Sequence, residues 1–264
     1  MKTLRDVSIV SAARTPIGSF MGKLSSLPAT RLGSIVIEES LRRGGIDTSL
    51  VDEVIMGNVL SAGEGQAPAR QAALGANLPE RTECLTINKV CGSGLKSVML
   101  AAQSIMVGDA DVIVAGGMES MSNVPYYLFK ARDGLRMGHQ KLVDGMIFDG
   151  LWDVYNDYHM GSAAELCARE CNISRQDQDE FSKMSYQRAL NAQKTGKFRD
   201  EIIEISIPQR KGDSIIVNSD EEPTKVVFEK ISSLRPVFET EGTVTAANAS
   251  SINDGAAAVV LAAE

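Results

Sequence analysis

The sequence has 264 residues, of which 44% are hydrophobic and 23% are charged, as in an ordinary globular protein with a sizeable core. Its formal net charge of −7 argues against nucleic-acid binding, which needs a basic face that neutralises phosphates. No stretch approaches the ~20 continuous apolar residues of a membrane-spanning helix, and the N-terminus is typical of a strand and not of a signal peptide. We therefore expect a cytoplasmic protein that does not bind membranes.

The first 118 residues alternate strand and helix patterns joined by short connections, which is typical of an α/β domain with a mostly parallel sheet. We interpret 84–90 as a buried strand, and we expect Leu95 and Met99 on the inward face of the helix that follows. The strands predicted in this region are 7–13, 54–60, 84–90 and 112–115, and the helices are 29–43, 67–75 and 95–107.

Between residues 119 and 241 the periodicity breaks and the charge density rises, which predicts an inserted α+β region packed on the first domain. Its predicted elements are helices 163–170 and 176–195, the second with Ser174 as N-cap, and alternating segments 201–208 and 214–218. Residues 242–264 are small and apolar again, and 256–261 predicts a buried strand that returns to the first sheet. We assign 1–118 and 242–264 to one domain and 119–241 to an insertion.

Four cysteines are present, and we expect free thiols because the chain lacks the features of a secreted disulfide-rich protein. Cys167 and Cys171 are four residues apart in a helical pattern. Without further Cys or His residues at ligand spacing, two thiols make a poor zinc site, so we expect no metal there. The other two cysteines are Cys84 and Cys91.

The segment 88–96, Asn-Lys-Val-Cys-Gly-Ser-Gly-Leu-Lys, carries the clearest chemical signal in the sequence. It places Cys91 where a strand ends and a helix begins, and the first turn of a helix favours negative charge and hence the reactive thiolate. Glycines on either side of Ser93 let a substrate approach the backbone closely. The carboxyl ends of strands are also where open α/β sheets bind ligands.

The residues alone leave two interpretations of Cys91 open, a nucleophile or a structural cysteine beside a glycine turn. A nucleophilic cysteine normally needs a base, and the two histidines, His139 and His159, both lie in the insertion without the spacing of a Cys-His pair. By the same general rules His159, Met160 and Tyr186 are typical of core packing, and Lys225 and Lys230 of solvated surface.

Several further segments, taken with 88–96, resemble thiolase signatures in order along nearly the whole chain. They are Ala-Arg-Thr-Pro-Ile-Gly at 13–18, Gly-Glu-Gly-Gln-Ala-Pro-Ala-Arg-Gln at 63–71, Ala-Gly-Gly-Met-Glu-Ser-Met-Ser at 115–122, Tyr-His-Met-Gly at 158–161 and Gly-Thr-Val-Thr-Ala-Ala-Asn-Ala-Ser at 242–250. The resemblance implies a thiolase-like layered α/β/α domain with a mostly parallel mixed sheet and a long inserted α+β loop domain.

The resemblance also implies an activity of the acetyl-CoA acetyltransferase type, in which two acetyl-CoA molecules form acetoacetyl-CoA, or the reverse thiolysis occurs. Cys91 would carry the acyl group, and its own N–H would help to bind the thioester oxygen. Coenzyme A thioesters are then substrates, and no cofactor is bound covalently. The implied contacts of substrate and coenzyme A are Leu151, His159, Met160, Tyr186, Lys225, Val226, Val227, Lys230 and Ser250. The resemblance also implies a potassium ion beside Tyr186, Ala246, Ala247 and Ala249.

Thiolases continue into a second domain of the same fold with Asn-Glu-Ala-Phe, Gly-His-Pro and Cys-x-Gly motifs, and none of these occurs in the 264 residues. The resemblance assigns the base and the proton-transferring acid to that missing half, so we expect these residues to be inactive in isolation. It also implies a homo-oligomer, a dimer or a tetramer, in lipid metabolism.

Three other functions remain open. The chain could belong to a non-catalytic acyl-CoA-binding or scaffold protein that retains the fold, or to a longer-chain 3-ketoacyl-CoA thiolase. A ketosynthase-like condensing enzyme is disfavoured by the long insertion with Tyr-His-Met-Gly at 158–161.

Overall fold

A computed structural model describes residues 4–264, which form two compact units. The first unit contains residues 4–125 together with 201–219 and 253–264, and the second contains 126–200 and 220–252. The assignment of 119–241 as an inserted domain stays a prediction. Within it, 201–219 packs with the first unit, because Ile205, Ile207 and Val217 are buried in the same core as Leu32.

The strands, in chain order, are β1 (Val7–Arg14), β2 (Gly18–Ser19), β3 (Glu53–Gly57), β4 (Glu83–Ile87), β5 (Val112–Ser120), β6 (Tyr126–Tyr127), β7 (Val143–Asp144), β8 (Trp152–Asp153), β9 (Tyr158–His159), β10 (Ile205–Ile207), β11 (Ile215–Val217) and β12 (Asn253–Ala263). The α-helices are α1 (Ala29–Gly44), α2 (Pro68–Gly75), α3 (Ser93–Val107), α4 (Met160–Glu170) and α5 (Arg175–Lys194).

The first unit is built around a sheet with the strand order β1-β12-β5-β3-β4, and β2 pairs with β12. β3 is parallel to both β4 and β5, whereas β12 is antiparallel to β1 and β5. α1 and α2 contribute to a core on one face of the sheet, and α3 contributes Ala101 and Ile105 to a second core. Helices therefore cover the sheet from both sides, which confirms the predicted layered α/β class with a mixed sheet.

The predicted orientation of α3 was wrong. Its buried residues are Ser93, Ser97, Ala101 and Ile105, whereas Leu95 is 69% exposed and Met99 is 50% exposed. The small side chains let the helix approach the sheet closely, and the Ser97 hydroxyl donates to the carbonyl of Gly116 at 2.7 Å. Leu95 and Met99 therefore point away from the sheet.

Two strand predictions also need correction. β4 is not a buried strand: it lies at the edge of the sheet, and its Leu85 is 42% exposed. β5 does not stop before Gly116 but continues to Ser120, because both glycines pair with β12. By length and composition alone, Val90–Val107 would pass as a membrane span, with a mean hydropathy of 1.3 over 18 residues. Only 22% of this window is buried, and a single helix of this kind is weak evidence of a membrane span.

The second unit consists of two short antiparallel ribbons, β6-β7 and β8-β9, and the helices α4 and α5. α5 begins with a capping box in which the Ser174 hydroxyl accepts from the N–H of Asp177, and the Asp177 carboxylate accepts from the N–H of Ser174. This confirms the predicted N-cap. Two further stretches, Glu222–Lys225 and Phe228–Ser233, form 3-10 turns.

Candidate active site

Cys91 lies in the tight turn that joins β4 to α3 in the first unit. α3 begins at Ser93, so the cysteine lies two residues before a helix of 15 residues whose first N–H groups favour negative charge. Cys91 is exposed. The structure thus places Cys91 where the sequence predicts it, after a parallel strand and just before a helix.

The residue before Cys91 has an unusual backbone conformation. Val90 has φ = 48°, in the left-handed region that a β-branched side chain rarely adopts. Holding a residue there costs about 1–3 kcal/mol and requires support from its surroundings. The turn therefore keeps Val90 in a backbone conformation that is unfavourable for valine.

Side chains on either side of Val90 support this conformation. The N–H of Val90 donates to Asn88 Oδ1 at 2.9 Å, and the Ser93 hydroxyl donates to the carbonyl of Val90 at 2.6 Å. Ser93 Oγ also accepts from the N–H of Lys89 at 2.8 Å. Gly57, at the end of β3, leaves the space for this arrangement, because a Cβ there would lie 2.6 Å from Ser93 Cβ.

In the second unit, His159 is the N-cap of α4. Its Nδ1 accepts from the N–H of Gly161 at 2.9 Å, which fixes the imidazole at the start of the helix and leaves Nε2 to carry the proton of the neutral ring. Met160, the first residue of α4, is 40% exposed. Leu151 is half-buried and ends the π-helical turn Ile147–Leu151, just before β8. The β8-β9 ribbon pairs Trp152 with His159, so these predicted acyl-pocket residues lie on neighbouring parts of one substructure.

Phe238 is a neighbour of the predicted site residue His159 that sequence reasoning missed. Its ring stacks on the His159 imidazole with centroids 4.9 Å apart and planes at 22°. Gly161 permits this, because a Cβ there would lie 2.2 Å from the ring carbons of Phe238. Phe238 lies 79 residues after His159 in the sequence, so no periodic pattern relates the two. The only sequence signal for the contact is Gly161 in Tyr-His-Met-Gly, because a glycine leaves room for a packed ring.

A cavity of about 240 Å³ in the second unit brings together most of the predicted coenzyme contacts. Its lining residues are Tyr186, Glu222, Lys225, Val226, Val227, Lys230, Ile231, Leu234, Ala246 and Ala247. Lys225 Nζ lies 3.6 Å from Glu222 Oε1, a weak and largely exposed ion pair. Burial and the nearby Glu222 charge raise the pKa of Tyr186. The cavity thus combines an apolar wall with two lysines, a combination suited to an anionic organic ligand.

One wall of this cavity is held by Glu165 of α4. The side chain is only 1% exposed, and its carboxylate accepts from the N–H of Thr243 at 2.8 Å and from that of Val244 at 2.7 Å. Burial raises the pKa of Glu165, but the hydrogen bonds from Val244 and Thr243 outweigh it, so the pKa lies below its ordinary value. The charged carboxylate thereby anchors the segment that leads to Ala246 and Ala247.

A second network joins α5 to the same segment. Asp179 is paired with Arg175 at 2.9 Å and accepts from Asn248 Nδ2 at 3.1 Å. Arg175 in turn donates to the carbonyls of Ile231 and Leu234 at 2.9 and 3.1 Å. Through these bonds α5 fixes both sides of the cavity, one at 231–234 and the other at 243–248.

Two residues proposed for this region lie outside the cavity lining. Ala249 follows in the turn that starts at Thr245, where its N–H donates to the Thr245 carbonyl at 2.9 Å. Ser250 is exposed at the end of that turn. Their roles in binding the coenzyme or a potassium ion stay predictions, as do the roles of Leu151, His159 and Met160.

Comparison with known proteins identifies the family. The model of the thiolase N-terminal domain matches residues 7–264. The chain belongs to the thiolase family.

Two curated relatives illustrate the similarity to other thiolases. Acetyl-CoA acetyltransferase 2 of Arabidopsis thaliana is 58% identical over 97% of this chain, and the chain covers 64% of that protein. Acetyl-CoA acetyltransferase of Cupriavidus necator is 57% identical over 98% of this chain, which covers 66% of that protein. The chain thus spans about two thirds of the length of these thiolases.

A solved thiolase has the same fold. The Acat5 thiolase from Ascaris suum, crystallised in complex with coenzyme A, superposes with a TM-score of 0.92 at 42% sequence identity. The match covers 98% of this chain and 66% of that one. The helices and strands of this chain are therefore arranged in space as in a solved thiolase.

Proposed function

We propose that the protein containing this chain is an acetyl-CoA C-acetyltransferase that uses Cys91 as its nucleophile. The observation that carries the proposal is the exposed Cys91 at the start of α3, presented by a left-handed turn that small side chains hold in place. The printed names of relatives at 57–58% identity support the same activity.

In the first step, the Cys91 thiolate attacks the carbonyl carbon of acetyl-CoA. The new C–S bond forms as the bond to coenzyme A breaks, and the departing coenzyme A thiolate takes up the proton that the cysteine released. In the second step, a base, which the thiolase resemblance assigns outside these 264 residues, removes a proton from the methyl carbon of a second acetyl-CoA and later returns it to the Cys91 thiolate. The methyl carbon attacks the acyl carbonyl. Cys91 leaves as the thiolate, and acetoacetyl-CoA is released. In the reverse direction the same steps cleave acetoacetyl-CoA.

For the coenzyme, we propose the cavity lined by Tyr186, Val226 and Val227. Lys225 and Lys230 supply positive charge for phosphate groups at its edge. His159, stacked on Phe238, and Met160 and Leu151 are proposed to contact the acyl and pantetheine part, and Ser250 the coenzyme. The coenzyme A present in the Ascaris thiolase structure supports a coenzyme A thioester as the ligand.

A potassium ion is a separate part of this proposal. Three of the four residues concerned, Tyr186, Ala246 and Ala247, line the same cavity, and Glu222 adds a carboxylate there. Hydroxyl, carbonyl and carboxylate oxygens are the ligands that a hard cation prefers. A bound ion would neutralise charge beside the coenzyme. A rise in the unfolding temperature with KCl but not with an equal concentration of LiCl would test the binding directly.

We further propose a cytoplasmic homo-oligomer, a dimer or a tetramer, that acts in lipid metabolism. The four cysteines are free thiols, as expected for a reducing compartment. The exposed edge strand β4 supports self-association, because its unpaired backbone groups can pair with a second copy. Light scattering would measure the assembly, and imaging of a tagged protein would test the location.

The test of the activity uses the complete protein and its Cys91→Ala variant. We expect thioester-dependent condensation and thiolysis in the parent and none above background in the variant. A protein that binds acetyl-CoA but has no turnover, with Cys91 unlabelled by iodoacetamide, would instead support the non-catalytic acyl-CoA-binding alternative. Comparison of acetoacetyl-CoA with longer 3-ketoacyl-CoA substrates decides the chain-length preference.

A further inference from the structure

The turn before Cys91 combines an unfavourable backbone with an unusually complete set of supports. Val90 takes the left-handed conformation although its side chain is 55% exposed, so no packing of the side chain accounts for it. It is held by hydrogen bonds on both sides: its N–H donates to Asn88 Oδ1 at 2.9 Å, and its carbonyl accepts from the Ser93 hydroxyl at 2.6 Å and from the Ser93 N–H at 3.1 Å. The conformation therefore rests on these hydrogen bonds, two of which use side chains, and not on the burial of the valine.

Ser93 has the more central place of the two. It is 4% exposed, and its single hydroxyl both accepts from the N–H of Lys89 and donates to the carbonyl of Val90. It thereby bridges the backbone on both sides of the Lys89–Val90 peptide unit. Because Ser93 is also the first residue of α3, the same side chain ties the turn to the helix.

We propose that Ser93 is a positioning residue that keeps Val90 left-handed and so aims the sulfur and the N–H of Cys91. Without the hydroxyl, the valine can relax toward its preferred extended or helical conformation, and the cysteine rotates away from the start of α3. This rests on the proposed function for what Cys91 carries. The reactivity of its thiol can be measured without that assumption.

The test compares Ser93→Ala, Val90→Gly and the double variant in the complete protein. Iodoacetamide alkylates Cys91 as the sulfur attacks the methylene carbon and iodide leaves, and peptide mass spectrometry separates this site from the other three cysteines. We expect Ser93→Ala to slow alkylation of Cys91 about tenfold to a hundredfold, the scale of a misplaced reactive group. Glycine adopts positive φ at no steric cost, so adding Val90→Gly should restore at least half of the loss on a logarithmic scale.

Ser97→Ala is the matched control, since it removes another buried serine hydroxyl of α3, one that donates to Gly94 and Gly116. We expect it to leave the alkylation rate of Cys91 within twofold of the parent. Equal slowing by Ser97→Ala, or a double variant as slow as Ser93→Ala, would mean that Ser93 only stabilises the fold and would overturn the proposal. Unchanged alkylation in Ser93→Ala would overturn it as well.

Two further readouts keep the proposal testable. If Ser93→Ala does not fold, the Val90→Gly variant alone tests the proposal. Glycine removes the unfavourable backbone conformation at position 90, so the melting temperature of this variant should equal or exceed that of the parent. A clear fall in its melting temperature would contradict the proposal. Acylation by acetyl-CoA is measured in parallel. If the parent alkylates at Cys91 but accepts no acetyl group, the proposed function fails while the role of Ser93 is still decided by the alkylation rates.

Discussion

The carboxylate of Glu165 accepts the backbone N–H of Val244 at 2.7 Å, and this contact joins α4 to the segment that forms one wall of the candidate coenzyme cavity. Since His159 and Met160 begin the same helix, one buried acid links the predicted acyl pocket to the predicted coenzyme pocket within the second unit.

Glu165→Gln should therefore disturb both stability and binding. The amide presents an NH₂ group where the carboxylate accepts from the N–H groups of Thr243 and Val244, so at least one donor loses its partner. We expect a loss of roughly 2 kcal/mol in the free energy of unfolding, as for a buried charged hydrogen bond, measured by urea denaturation. The KM for acetyl-CoA should rise more than kcat falls. Glu170→Gln, at an exposed position of the same helix, is the control, and equal effects of the two changes would contradict this role.

Gly161→Ala tests the stacked pair of His159 and Phe238. The added methyl group would occupy the space of the Phe238 ring, at 2.2 Å from its carbons, so the ring must move off the imidazole. We expect kcat/KM to fall about tenfold or more, because displacing a side chain that orders a substrate pocket misplaces the substrate. Ser162→Ala, at the next position of α4, should retain activity. A fully active Gly161→Ala variant would show that the stacking does not shape the pocket.

Charge at the cavity edge gives a third prediction. Lys225 is paired with Glu222, so removal of the acid frees the lysine for a phosphate group. We expect Lys225→Ala to weaken coenzyme A binding roughly two- to tenfold, and Glu222→Gln to strengthen it by a smaller factor. Both effects should shrink as salt is added, since exposed charges are screened. Isothermal titration calorimetry would measure them, with Lys194→Ala as control. Tighter binding to Lys225→Ala would exclude a phosphate at this lysine.

A pH-dependent prediction comes from Glu64 in the first unit. Burial, and then the charge of Glu119, raise the pKa of Glu64 to about 7, and Glu64 Oε2 is buried without a hydrogen-bond partner among the described residues. Because the folded state holds this proton more tightly than the unfolded one, stability should decrease as the pH rises from about 4.5 to about 7. Glu64→Gln should thus raise the melting temperature at pH 8 more than at pH 5.

The control for this prediction is Glu80→Gln, since Glu80 is an exposed glutamate of the same unit. Differential scanning fluorimetry at the two pH values is sufficient. A Glu64→Gln variant whose change in melting temperature is the same at both would show that Glu64 is charged throughout this range.

The helices and most strands could be predicted because their apolar periodicity or caps are local, as at Ser174. The face of α3 could not, since Leu95 and Met99 have the same character whether they face a sheet or point outward, and the small residues Ser97 and Ala101 decide the packing. Cys91 could be predicted as a candidate nucleophile because its place before a helix start can be read from the local pattern. The support from Ser93 and the stacking of Phe238 depend on backbone conformation and on contacts distant in sequence, which no local pattern records.

The central claim is that Cys91 carries the acyl group, and the most direct measurement is mass spectrometry of the complete protein after brief exposure to acetyl-CoA without a second substrate. We predict one acetyl group per chain, located on the peptide that contains Cys91, removed by free coenzyme A and absent in Cys91→Ala. An unmodified Cys91, or an acetyl group of equal occupancy in Cys91→Ala, would contradict the account.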